Sequence, residues 1–421
     1  MKISYLHSLF ILVLFLSCSE RKKDNPLDPN YPGSTSPINL SVLSFDNRIE
    51  LKWNEPIITD YIGFRLYRKI EETDTSFIQI AELLATTRIF NDYNIPFGKR
   101  YNYYITLVGT DSESKPSPVV SIIPGKGYNW VVDKYGYQIL KLTYDAGHTI
   151  LQIFTDWFPF DMAVAKEKSI GLITYPEAGK YEIINLNTGS IINSSFAIAR
   201  PYVVEYDSAI GHFWLVDSSG YLYKINADNF NATLVSGNFD YPISVSITEN
   251  PGLINIVDYG KKQIFQLNRA GTIENTISSI NGHLLKQPEE FRQSSANGRQ
   301  WLTDNTGNLS LIYTKPSGAN QFTLIDSASN TGNIEISEFN DMLWYVSFAS
   351  TNSSVVQLSP DGIRQQILSG FYSPWDINVN KYDGTLIIVD TGNSRILHLN
   401  NSGIEIGKSG NFNFPVKVVV E

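Results

Sequence analysis

The sequence predicts an all-β chain: a small β-sandwich followed by a β-propeller closed by its C-terminal strand. Three observations predict this. Short segments alternating with period two fill residues 38–124. From Gly125 onward one apolar block recurs about every 42 residues, the length of a four-stranded propeller blade. A strand introduced by Pro recurs in step with that block, and its last copy is the tail "FNFPVKVVVE".

Composition bounds the reading. Of 421 residues, 42% are hydrophobic and 18% charged, which is globular rather than disordered. The net charge is -9, and no Lys/Arg run is longer than "RKK" at Arg21–Lys23. Nucleic acid is therefore not an expected partner, since it would call for a basic stripe.

The N-terminus, "MKISYLHSLFILVLFLSCSE", has one Lys and then an apolar stretch from Ile3 to Leu16. That stretch has the length and place of a signal-peptide core. Cys18 is the only cysteine and follows directly behind a small residue, Ser17. This resembles the lipobox of bacterial lipoproteins, with Phe15 standing where the family prefers Leu. The resemblance implies that residues 1–17 are a signal peptide, that Cys18 carries the lipid, and that the membrane is a partner through it. It implies a cell-envelope location, with Ser19 compatible with the outer membrane and either face of it open. Residues 18–37 contain "SERKKDNPLDPNYPGSTSP", a Pro-, Asp- and Ser-rich tether.

Residues 38–124 read as short strands. "RIELKWNEP" places Ile49, Leu51 and Trp53 on one face, and "YNYYITLVG" places Tyr101, Tyr103, Ile105 and Leu107 on one face. The segment resembles a fibronectin type III domain, in Trp53 and in the run "PFGKRYNYYITLVGTDSESKPSP". By that resemblance Tyr101 is the tyrosine-corner residue and the domain is a spacer. No Arg-Gly-Asp occurs in the corresponding loop.

In residues 125–421 the apolar block ends at Asp133, Tyr175, Asp217, Asp258, Asp304, Ser347 and Asp390. The Pro-led strands are "FPFDMAVA", "RPYVVEYD", "YPISVSIT", "QPEEFRQS", "SPWDINVN" and "FPVKVVVE", with the Pro-less "NIEISEF" at Asn333–Phe339. The first block, at Trp130, has no Pro-led strand before it, and the last Pro-led strand has no block after it. A ring closed by the last strand joining the first blade gives this count, with seven blades favoured and six as the alternative. "VVDYGKKQIFQLNRAG" and "IVDTGNSRILHLNNSG" resemble NHL repeats, and the segment as a whole resembles the NHL/YVTN-like propellers of the TolB-like superfamily.

Period two sorts the Pro-led strands, which should line the central channel. First, third and fifth positions after Pro are expected to pack within or between blades. Second and fourth positions are expected to line the channel, among them Asp161, Glu205, Glu290, Arg292, Asp376 and Lys417. "PEEFRQSS" fits this alternation worst. The face where these strands begin is rich in aromatic residues. Trp157, Phe160, Tyr202, Tyr241, Tyr372 and Trp375 are its candidate ligand contacts, for stacking on a glycan or gripping a protein. Packing between blades is the other use of such rings. The aspartates that end the blocks read as turn residues.

A catalytic constellation does not emerge. His148, His212, His283 and His398 all fall outside the Pro-led strands, and there is no zinc-protease motif or nucleophile elbow. The expectation is a lipid-anchored envelope protein presenting a propeller for ligand or protein binding or scaffolding, with no cofactor. The alternative is a lactonase-like hydrolase or lyase holding a divalent metal on channel carboxylates.

Overall fold

The computed structural model describes residues 24–58, 60–348 and 353–421. Cys18 and the expected signal peptide lie outside the described residues. The fold is all-β: antiparallel sheets and three single-turn 3₁₀ helices account for the regular structure described. The chain divides into two compact units. The first holds residues through Ser41, Leu51–Phe90 and Tyr101–Ser121; the second holds Val42–Glu50, Asn91–Arg100 and Ile122–Glu421.

Residues 40–122 form two sheets. Leu40–Phe45, Arg48–Trp53 and Ile89–Tyr93 make one; Ile78–Leu84, Gly63–Ile70, Tyr101–Val108 and Val120–Ile122 make the other, in that order. The alternation does what period two requires: Leu51, Trp53, Phe64, Leu66, Tyr101, Tyr103 and Ile105 are all buried. Trp53 meets Phe64 edge-on, with ring centroids 5.4 Å apart. The segment read as a tether is held to the first unit from Asn25 onward. Leu27 is buried, and Lys115 Nζ donates to the carbonyls of Tyr31 and Gly33.

The second unit contains, among the described residues, seven four-stranded antiparallel sheets. Six are consecutive in the chain and begin with the strands Asp161–Ala165, Pro201–Asp207, Pro242–Thr248, Pro288–Gln293, Thr331–Ser337 and Pro374–Val379. The other sheet is assembled from both ends of the unit, in the order Thr149–Phe154, Gln138–Leu142, Asn129–Asp133 and Pro415–Val420. Pro415 is opposite Asp133, and Val418 is opposite Val131. Each of these seven inner strands touches the next, and Pro415–Val420 touches Asp161–Ala165, so the succession is cyclic. A short extra hairpin, Ser279–Ile280 with His283–Leu284, sits outside the repeat.

Seven apolar cores hold the sheets together, one between each consecutive pair. This explains why the second strand of each sheet is apolar on both faces: both are covered. Trp130, Trp214, Trp301 and Trp344 occupy the same repeat position, and all are almost wholly buried. The core shared by the first-sheet and closing-sheet strands joins Met162 and Ile173 to Trp130 and Val416. Removing the second strand of any sheet therefore strips two cores, not one.

The aspartates that end the second strands have a definite task. Asp258 accepts from the backbone N–H groups of Asp240, Tyr241 and Lys261 at 2.9, 3.1 and 3.0 Å. Asp133 accepts from Asn413 and Phe414, Asp304 from Lys286 and Gln287, Asp217 from Arg200, and Asp390 from Tyr372. Each carboxylate ties the loop entering an inner strand to the turn leaving its neighbour. Buried backbone donors need such acceptors.

Candidate functional site

The inner strands do not follow simple alternation at their start. Pro201 is opposite Asp217, but Val203 is opposite Val216, so Tyr202 is an extra residue. The same bulge makes Ile243, Glu289, Trp375 and Val416 extra residues in their strands. In the Pro-less strand, Gly332 and Asn333 share the place of one. A bulge re-aims side chains. Here it turns Tyr202, Ile243, Glu289, Trp375 and Val416 toward the axis, where with Phe160 they line a cavity of about 310 Å³. The expectation that first positions pack only within or between sheets is thereby corrected. Third positions do pack: Met162, Val204, Val245, Phe291, Ile334, Ile377 and Val418 are buried. With the bulge counted, "PEEFRQSS" fits its neighbours, Phe291 being its third position.

All six residues expected along the channel line this cavity: Asp161, Glu205, Glu290, Arg292, Asp376 and Lys417. They come from five of the seven inner strands. Of the six aromatic candidates, Phe160, Tyr202 and Trp375 line it as well. Phe160 and Tyr202 stack on each other, centroids 4.5 Å apart and planes 20° apart. Their other side lines a neighbouring hollow together with Tyr241. Trp375 is 46% exposed and meets Phe414 edge-on. Trp157 and Tyr372 are exposed and line neither space. Phe239, Phe371 and Phe412, on the same loops, are buried in the cores between sheets.

The cavity's charges are arranged around two cations. Lys417 Nζ stands 3.7 Å from Asp161 Oδ1 and 3.9 Å from Asp376 Oδ2. Arg292 donates to Glu290 Oε2 at 2.8 Å and stands 3.6 Å from Glu335. The carboxylates also stitch neighbouring strands. Asp161 Oδ2 accepts from Val204 N–H at 2.8 Å, and Asp376 Oδ2 from Val418 N–H at 2.9 Å. Asn333 donates to Asp376 Oδ1 at 2.6 Å. Glu289 is satisfied by Asn305, Ser310 and Thr331.

Burial raises every carboxyl group in this set for which a shift is seen. It pushes Asp376 up to about 6 and Glu335 up to about 7, against the opposing pull of Lys417 and Arg292 respectively. Asp161 and Glu205 are raised for the same reason. Both cations are held above their ordinary values, the acidic neighbours outweighing desolvation. Glu335 and Lys417 keep 28% and 25% of their side-chain surface open. Lys417 turns that surface to the cavity.

Sequence reasoning did not single out Glu289, Asn333, Glu335 or Phe348. Asn333 and Glu335 occupy the second and fourth positions of the one inner strand without Pro, and that repeat register was the available signal. Among the described residues no three His, Cys, Asp or Glu side chains gather as a metal site. Lys417 occupies the point where Asp161 and Asp376 converge.

No known family profile matches this chain, and no curated protein matches it in sequence. Among solved structures, a functionally unknown protein from Desulfotomaculum acetoxidans DSM 771 is similar at a TM-score of 0.55 and 14% identity, over 70% of this chain and 99% of that one. A chain of Kuenenia stuttgartiensis hydrazine synthase aligns at 0.49 and 10% identity, over 57% of this chain and 76% of that one. A chain of a nidogen/laminin complex aligns at 0.47 and 11% identity, over 70% and 98%. At these identities the likeness to the Desulfotomaculum protein speaks for the all-β fold alone.

Proposed function

We propose that this chain is a lipid-anchored cell-envelope protein that binds a ligand in the central cavity of a seven-bladed, NHL-like β-propeller. In this reading residues 1–17 are removed, Cys18 carries the lipid, and residues 38–124 are a fibronectin type III-like spacer. Seven sheets in cyclic succession support seven blades over six. The single observation that carries the binding role is the cavity itself. It has an aromatic wall of Phe160, Tyr202 and Trp375 beside convergent polar groups, the common composition of a small-ligand site.

Two measurements test this. Palmitate labelling of cells should mark the wild-type chain and not a Cys18→Ala variant. A thermal-shift screen of envelope glycan fragments, peptides and divalent ions should yield a ligand whose saturable midpoint rise is lost in Trp375→Ala. A midpoint raised by a divalent ion and reversed by EDTA would instead favour the metal-dependent hydrolase or lyase.

A further inference from the structure

The cavity is chemically lopsided. Five carboxylates line it, from Asp161, Glu205, Glu289, Glu290 and Asp376, against the two cations Arg292 and Lys417. Each cation already stands between two carboxylates. The surplus is concentrated on two adjacent inner strands. Asp161 lines the cavity and is 4% exposed; its Oδ1 is buried without a hydrogen-bond donor, Lys417 being 3.7 Å away. Glu205, on the next strand, makes no side-chain hydrogen bond or close ion pair among the described residues, and Lys417 and Arg292 attract it only at longer range.

Both carboxylates are carried by the segments that bear the stacked pair. Phe160 precedes Asp161, and Tyr202 shares a strand with Glu205. An aromatic face and a buried carboxylate acceptor together favour one kind of guest, a cation with an apolar stem. A neutral sugar would satisfy the rings but leave the surplus charge uncompensated. An anion would meet more carboxylates than cations. The volume of about 310 Å³ fits a small molecule or one side chain.

Resting on the binding role proposed above, we infer that the ligand is an organic cation whose ammonium or guanidinium group sits at Asp161 and Glu205, against Phe160 and Tyr202. Its arrival completes the acceptor shell that Lys417 only half fills. It also releases protons, because a cation favours the ionised form of the carboxyl groups that burial has raised: Asp161, Glu205, Glu289, Glu335 and Asp376. Glu290, Arg292 and Lys417 are the other charged groups beside them.

Calorimetry with three probes of one shape tests the charge: pentane-1,5-diamine, pentane-1,5-diol and glutarate. The diamine should bind saturably to the full chain, and the diol and glutarate should not. An Nα-acetyl-lysine amide arm separates a free amine from a peptide side chain as the source. Asp161→Asn and Glu205→Gln, each first shown to melt cooperatively, should weaken the diamine at least tenfold. Affinity should fall between pH 8 and pH 5.5, with proton release seen as a buffer-dependent enthalpy. If glutarate or the diol binds instead, the charge assignment is overturned while the cavity stands as a binding site. If no probe binds while a glycan from the wider screen does, the cationic ligand is likewise overturned and the binding role survives. Diamine binding unchanged in both variants also overturns it.

Discussion

Trp130 Nε1 donates a 2.7 Å hydrogen bond to Glu421 Oε2, joining residues 291 apart in the chain. The same oxygen stands 2.7 Å from Lys141 Nζ, and all three side chains are buried. Lys141 in turn lies 4.2 Å from the centre of the Tyr128 ring. Behind this cluster, Pro415–Val420 fills the inner place of a sheet begun at Asn129. Deleting residues 414–421 should therefore abolish the cooperative unfolding of the second unit, since it strips two cores, one of Val416 and the other of Val418. Urea denaturation followed by tryptophan fluorescence reads this. A truncated chain with the wild-type midpoint would mean that the ring does not depend on this strand.

Glu421 itself can be isolated from the strand. Glu421→Ala leaves Lys141 as a buried cation without its carboxylate and should cost about 3 kcal/mol. The double change Glu421→Gln with Lys141→Met removes both charges and should recover most of that loss. A double variant as damaged as the single one would place the effect in packing rather than charge.

Glu335 should weaken the fold as pH rises. Burial raises its carboxyl group to about 7, so the folded chain holds a proton that the unfolded chain, near the ordinary value, has already lost. Stability attributable to this group is greatest in acid and falls as pH climbs from about 4.5 through 7. Glu335→Gln imitates the protonated form. It should match the wild type near pH 5 and exceed it by about 1–3 kcal/mol above pH 7. Equal midpoints at pH 8 would show that the Arg292 pair outweighs desolvation.

Asp258 bears on whether the turn aspartates are structural. Its carboxylate is the acceptor for three backbone N–H groups on two segments. Asp258→Ala leaves those donors without it and should cost about 2–3 kcal/mol. Asp258→Asn keeps one acceptor oxygen and should cost less. Calcium should shift the melting midpoint of neither the wild type nor the variants; a calcium-dependent rise in the wild type alone would make the aspartate a ligand.

The repeat was legible because it is written in short-range chemistry. Pro marks the start of an inner strand, Asp closes its neighbour, and Trp fills the same core position four times. The channel residues were legible from period two alone. The bulge was not, because it inserts one residue without changing the composition of the strand, so period two put Tyr202 and Trp375 among the packing positions while the aromatic face made them candidate ligand contacts. The pairing of Lys417 with Asp161 was not legible either. It joins strands at the two ends of the unit, and only cyclic closure brings them together. Glu335 was overlooked because its strand lacks the Pro that flags the others.

His398 should set the acid limit of the second unit. Its Nδ1–H points to the carbonyl of Tyr144, and Nε2 lies 2.7 Å from Thr385 Oγ1. Burial pushes the imidazole down to about 4 from 6.5. The unfolded chain takes up a proton that the folded chain refuses. The stability from this group is therefore full above about pH 6.5 and is lost as pH falls toward 4. The loss amounts to roughly 3 kcal/mol. His398→Asn should lower stability at pH 8 through imperfect packing, yet flatten the decline between pH 6.5 and 4. Proton NMR of the ring across that range checks the assignment directly. An imidazolium still present at pH 6 would mean that the Thr385 hydroxyl donates to Asp383, 2.7 Å away, and accepts from Nε2–H, and that His398 is held charged; the variant would then lose stability most in acid.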